Sequence, residues 1–125
     1  MSFGKEPCER AVQEKSFLFA IRIVRLYQYL CNDKKEYVMS KQLLRSGTSI
    51  GANVSEAERA QSPADFYSKM SISLKEASET YYWLRLLHAT DYLANNEFYS
   101  MEADIKELLA LLTTICKTAQ QNSEK

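Results

Sequence analysis

Apolar and polar positions along this chain alternate with a helical period almost from end to end. The first run, residues 9–31, reads ERAVQEKSFLFAIRIVRLYQYLC. Its second half is apolar nearly all round, and only Arg22, Arg25 and Gln28 interrupt it, spaced so that they share one narrow stripe. A surface helix of an isolated domain shows a much wider polar face. The pattern predicts a helix buried on more than one side, and in so short a chain a second copy of the protein is the simplest cover.

CNDKKE supplies a turn. Met39, Leu43, Ser46, Ile50, Asn53 and Ala57 then recur at alternating steps of four and three, predicting a second helix over residues 36–60. Inside it lies RSGTSIGANVSEAERA, which carries Gly47 and Gly51. A phosphate loop, a flexible linker and a thin helix are the competing readings. The apolar period passes through both glycines in phase, no strand precedes Gly47, and no lysine–hydroxyl pair follows Gly51 as a phosphate loop requires. The helix is preferred. Each interior glycine costs about 1 kcal/mol relative to alanine, so Gly47 and Gly51, one turn apart, predict close approach by another helix backbone.

Ser62 as N-cap, Pro63 at the first helical position and Asp65 reaching back to the cap predict a third helix over residues 63–90. Its core stripe is Phe66, Met70, Ser73, Ala77, Thr80/Tyr81, Leu84 and Leu87. A second, largely apolar stripe of Ile72, Glu76, Trp83 and Leu86 predicts burial on two sides. Asn95 and Asn96 read as caps for a fourth helix over residues 97–120, with Ile105, Leu108, Leu112 and Ile115 on its apolar face. Residues 1–8 and 121–125 read as frayed ends. The expected fold is all-α: an up-down-up-down antiparallel four-helix bundle forming a single domain, residues 1–125.

Composition agrees: three glycines and two prolines in 125 residues are too few turn formers for a many-stranded β fold. Net charge is zero, so no overall basic field draws the chain to nucleic acid or membrane. The distribution is uneven, however. Arg22, Arg25, Lys34, Lys35, Lys41 and Arg45 face only Asp33 and Glu36 in the same stretch, and the balance turns acidic after Gln61. These six are the candidate contacts to RNA or DNA, and a symmetric assembly would repeat them so that weak phosphate contacts add up. The competing reading is an ordinary solvated face. The N-terminus lacks the apolar core of a signal peptide, and no apolar run reaches membrane-spanning length. Cys8, Cys31 and Cys116 have no metal-ligand spacing, so the chain reads as cytoplasmic with reduced thiols, Cys31 and Cys116 serving as small buried hydrophobes.

Gln42, Ser49 and Glu56 recur every seven residues beside Asn53. Arg45, Ser49, Asn53, Glu56 and Glu76 are expected to form a polar network that fixes helix register, with an Arg45–Glu76 or Arg45–Glu56 contact. The alternative is a small enzyme or a ligand- or metal-binding bundle using Glu56, Glu76 and His88 between helices. A di-metal bundle needs Glu-x-x-His on two helices, and the single histidine, His88, lies in no such motif. No catalytic residue, metal or cofactor is expected. Tyr81, Tyr82 and Trp83 read as core and interface anchors ahead of base-stacking groups.

KQLLRSGTSIGANVSEAERA followed by ADFYSKMSISLKEASETYYWLRLL resembles the bacterial four-helix bundle proteins encoded within intervening sequences of 23S ribosomal RNA genes, some labelled ribosomal-protein-like. Their Q-x-x-R-S/A-x-x-S-I-x-x-N-x-x-E pattern falls on Gln42, Arg45, Ser46, Ser49, Ile50, Asn53 and Glu56. Many members have glycine next, where this chain has Ala57, so the second helix is expected to run on. The resemblance implies a left-handed up-and-down bundle that assembles into a ring-like homopentamer, without enzymatic activity. It also implies similarity to the accessory protein of diversity-generating retroelements, which binds a reverse transcriptase and nucleic acid, and hence a protein partner as well.

Overall fold

A computed structural model of the chain describes Phe3, Gly4 and residues 6–124. Its order is α1 (Pro7–Asn32), α2 (Met39–Ala57), α3 (Pro63–Ala89) and α4 (Asn95–Ser123). Helix α1 packs on α2 and α4, and α3 packs on α2 and α4, while the backbones of the diagonal pairs stay apart. This is the up-down-up-down bundle expected from the apolar period.

One buried stripe per helix builds the core. Phe19, Ile23 and Leu30 of α1 meet Leu43 and Ile50 of α2, Met70 and Leu84 of α3, and Met101, Ile105, Leu108 and Leu112 of α4. Small polar residues at helix crossings are buried too, each with a partner. The Ser73 hydroxyl donates to the Ile50 carbonyl at 2.8 Å, and Thr80 donates to Ser46 at 2.9 Å.

Both glycines of α2 lie where α1 crosses it. A Cβ on Gly47 would stand 2.7 Å from Cγ1 of Ile23, and one on Gly51 would stand 3.2 Å from the carbonyl oxygen of Ser16. Gly51 therefore admits backbone, as expected, whereas Gly47 admits a buried side chain.

Helix ends differ from the expected ones for local reasons. Helix α2 starts at Met39, not residue 36, because Glu36 folds back as its cap. The buried Glu36 carboxylate accepts from the backbone N–H groups of Val38, Met39 and Ser40 at 3.1, 3.0 and 2.7 Å. Burial alone would raise this carboxyl, but the three N–H groups outweigh it and hold it below its ordinary value. The same helix ends at Ala57 and does not run on to Ala60. Glu58, Arg59 and Ala60 donate to Ser55, Glu56 and Ala57, a tightened i to i−3 turn, before the chain extends at Ser62 towards Pro63.

Ser62 caps α3 as expected, accepting from Asp65 N at 3.0 Å. Asn95 and Asn96 do not cap α4. They occupy its first turn behind Ala94, and Asn95 bonds His88 instead. Pro7 and Cys8 are helical because Pro7 suits a first turn. Residues 121–123 continue α4, whose buried Ala119 lies against the starts of α1 and α3. The expected fraying of Met1, Ser2, Lys5 and Lys125 falls outside the described residues.

Candidate functional site

Half of the exposed bulky apolar side chains among the described residues lie on α1. Phe17 is 67% exposed, and Leu18, Ile21, Val24 and Tyr29 are between 38% and 52%. They span about 18 Å of helix and amount to on the order of 400 Å², as large as the largest apolar patch on an ordinary monomer. The helix is greasy all round, as its sequence predicts, yet the bundle covers only one side. The second stripe of α3 is less bare: Ile72 and Tyr82 are exposed, while Trp83 and Leu86 are half-buried.

The six candidate cations do not form one surface. Arg22 turns to α4, donating to Asp104 at 2.6 Å and to the Ser100 hydroxyl at 2.9 Å. Arg45 turns to α3, donating to Glu76 at 3.2 Å and, in a closer contact, to Glu79. Since α1–α4 and α2–α3 are opposite seams of the bundle, these two arginines are taken up separately as structural ion pairs. Lys34, Lys35 and Lys41 remain together at the α1–α2 turn, all exposed, with Arg25 further along α1. Lys35 adopts a left-handed conformation, φ 56°, and its ammonium donates to the Asn32 carbonyl at 2.8 Å. Beside them stand Tyr37, 55% exposed, and Val38, 74% exposed. Sequence reasoning passed over these two; two large apolar residues set in a lysine-rich turn were the available signal.

The expected polar network is partly assembled. Arg45 and Glu76 meet, but Ser49 and Asn53 bond backbone within their own helix: Ser49 donates to the Arg45 carbonyl at 2.6 Å and Asn53 to the Ser49 carbonyl at 2.8 Å. Glu56 is exposed and lies 4.0 Å from Lys69. The five residues therefore do not join, because short side chains on a helix reach the preceding turn more easily than a neighbouring helix. The residue missed here is Glu79, whose carboxylate also accepts from Trp83 Nε1 at 3.0 Å. That bond and Arg45 lower its pKa.

Glu56, Glu76 and His88 do not converge. The His88 ring stacks on Phe98, centroids 4.1 Å apart and 5° from parallel, and shares a 2.7 Å hydrogen bond with Asn95. No group of three His, Cys, Asp or Glu side chains among the described residues is arranged to hold a metal ion. Tyr81 is tied to Glu102 at 2.5 Å beneath Arg85, so it anchors α3 to α4. Cys116 is buried and Cys31 half-buried. No helix among the described residues is long and apolar enough to cross a membrane.

The model of a family described as 23S rRNA-intervening sequence protein matches residues 9–114. A crystal structure of a protein with unknown function from the S23 ribosomal protein family of Bacteroides thetaiotaomicron superposes with a TM-score of 0.85. It is 56% identical, over 86% of this chain and 96% of that one. A search of curated proteins returns no match.

Proposed function

The chain belongs to the 23S rRNA-intervening sequence protein family, and from that footing we propose that it is a non-enzymatic scaffold built from several copies of itself. The observation that carries this reading is the bare outer face of α1. An interface of ordinary size buries about 800 Å² on each partner, and the α1 patch supplies roughly half of that as apolar surface. Lys15 and Arg22 on its flank pair with Glu107 and Asp104 of α4, while Arg25 stands exposed within the patch beside Ile21 and Val24. Five copies is the number that the family resemblance implies, and cytoplasmic residence fits free thiols.

Nucleic acid is the second reading, carried by Lys34, Lys35 and Lys41 beside exposed Tyr37. Lysines hold phosphate and an exposed ring stacks a base; in a ring of copies the turn would recur around one rim. A protein partner bound through the same scaffold is a further reading, supported only by the sequence resemblance to the retroelement accessory protein.

Light scattering over a hundredfold range of concentration tests the scaffold. A mass several times that of one chain is expected, falling to one chain in Ile21→Glu. A folded wild-type monomer at all concentrations would overturn it.

A further inference from the structure

Arg22, Arg25, Leu26 and Tyr29 recur along α1 at steps of three and one turn, so they share one stripe, and that stripe faces the start of α4. The two helices do not close there. Ala94, the residue before α4, offers only a methyl group, and a cleft of about 440 Å³ stays open between them. Its size falls within the range of small-ligand sites, about 300–1,000 Å³. Leu26 and Leu93, each 4% exposed, floor it, and Tyr29 stands at its edge.

Three charged side chains line this cleft, and only one is satisfied. Arg22 is held by Asp104 and Ser100 of α4. Arg25 on α1 and Glu97 in the first turn of α4 are both exposed, and neither enters an ion pair or a side-chain hydrogen bond among the described residues. They therefore line the two banks of one cleft without meeting. Arg25 stands on the ridge between this cleft and the neighbouring face of Phe17, Ile21 and Val24, and lines both. A purely anionic ligand would leave Glu97 unmatched and facing a like charge; a purely cationic one would do the same to Arg25. An occupant with both charges and an apolar body matches both banks and the floor.

We propose that the cleft binds a small zwitterion with an apolar body, the class to which aromatic amino acids belong. Arg25 takes the carboxylate, Glu97 takes the ammonium, and Leu26, Leu93 and Tyr29 receive the ring. Every group belongs to one chain, so the site is independent of the self-assembly and nucleic-acid readings above.

The test is saturation-transfer difference NMR on the full chain with three probes that share a ring and spacer: L-phenylalanine, 3-phenylpropanoate without the ammonium, and 2-phenylethylamine without the carboxylate. Phenylalanine is expected to bind about fivefold more tightly than either analogue, the worth of one solvent-exposed ion pair. Arg25→Gln should weaken phenylalanine by about that factor and leave 2-phenylethylamine no weaker. Glu97→Gln should do the same to phenylalanine while sparing 3-phenylpropanoate. Both changes are at exposed positions, and circular dichroism checks that the helices persist. Ala94→Trp, which fills the cleft from an extended backbone position open to any side chain, should abolish transfer to all three probes. Transfer that survives a folded Ala94→Trp would place the ligand elsewhere, on Tyr37 and Val38 or on the outer face of α1, and would overturn the proposal. So would an analogue that equals phenylalanine, a phenylalanine affinity indifferent to both glutamine variants, or no transfer at millimolar probe.

Discussion

Gly51 and Ser16 bring the backbones of α2 and α1 together: a Cβ on Gly51 would lie 3.2 Å from the Ser16 carbonyl oxygen. One turn earlier, a Cβ on Gly47 would stand under 3 Å from three carbons of Ile23. Ile23 is fully buried and β-branched, so it cannot swing aside. Alanine would gain about 1 kcal/mol in helix propensity at either site, while overpacking costs about 1–3 kcal/mol. Gly47→Ala is expected to destabilise by about 1 kcal/mol net, measured by urea unfolding, and Gly51→Ala to stay within about 1 kcal/mol of wild type. Adding Ile23→Val should recover part of the Gly47→Ala loss; no recovery would mean that Ile23 is not the obstacle.

Glu36 ties acidity to the start of α2. Its carboxyl titrates lower in the folded chain than in the unfolded one, so its contribution is complete above the unfolded value of about 4.3 and fades as pH drops through the folded value. Glu36→Gln should cost about 1–2 kcal/mol at pH 7, the range of a lost helix cap. The gap between the two urea midpoints should narrow on acidification towards pH 3. A gap that holds constant from pH 7 to pH 3 would contradict the role given to the carboxylate.

Arg45 clamps α2 to α3, but its side chain is half exposed, and exposed pairs contribute little. Arg45→Ala should cost about 0.5–1 kcal/mol and lose less at high salt. Arg45→Lys should restore only part, because one ammonium cannot span Glu76 and Glu79 as a guanidinium fork does. Trp83, the only tryptophan, donates to Glu79 and reports on the clamp. Its emission should shift as acid protonates Glu79, at lower pH in wild type than in Arg45→Ala. Coincident titrations would separate Trp83 from the clamp.

Charge reversal should sort the cations. Lys41→Glu is expected to weaken RNA or DNA binding and to flatten its salt dependence by about one unit of slope. Arg22→Ala should instead lower the melting temperature and leave the slope unchanged, since Asp104 and Ser100 already occupy that guanidinium. Filter binding at several salt concentrations reads both. Equal loss from the two variants would restore a single six-residue patch.

The four helices were legible because one apolar stripe per helix keeps its phase for six turns or so, and a bundle core asks for little more. The ends were less so. Glu36 looks like an ordinary helix former until its carboxylate is seen on three N–H groups, and Ala57 gives no stop signal of its own. The cations were the hardest to place. Arg22 and Arg45 are neutralised by Asp104, Glu76 and Glu79, which lie far along the chain, and no local pattern announces such pairing. The greasy outer side of α1 was plain from the sequence because too few polar residues interrupt it.

Along the seam between α1 and α4, the side chains leave two open clefts, one floored by Leu26 and Leu93 and one by Phe19 and Leu108, with ion pairs reaching across. The opposite edge of α1 is pressed onto α2 at the glycines. A molecule stitched so unevenly should open like a book, hinged on its α1–α2 spine. Amide protons facing the α4 margin would then exchange with solvent sooner than those beside Gly47, and a neighbour clasping α1 would hold the covers shut.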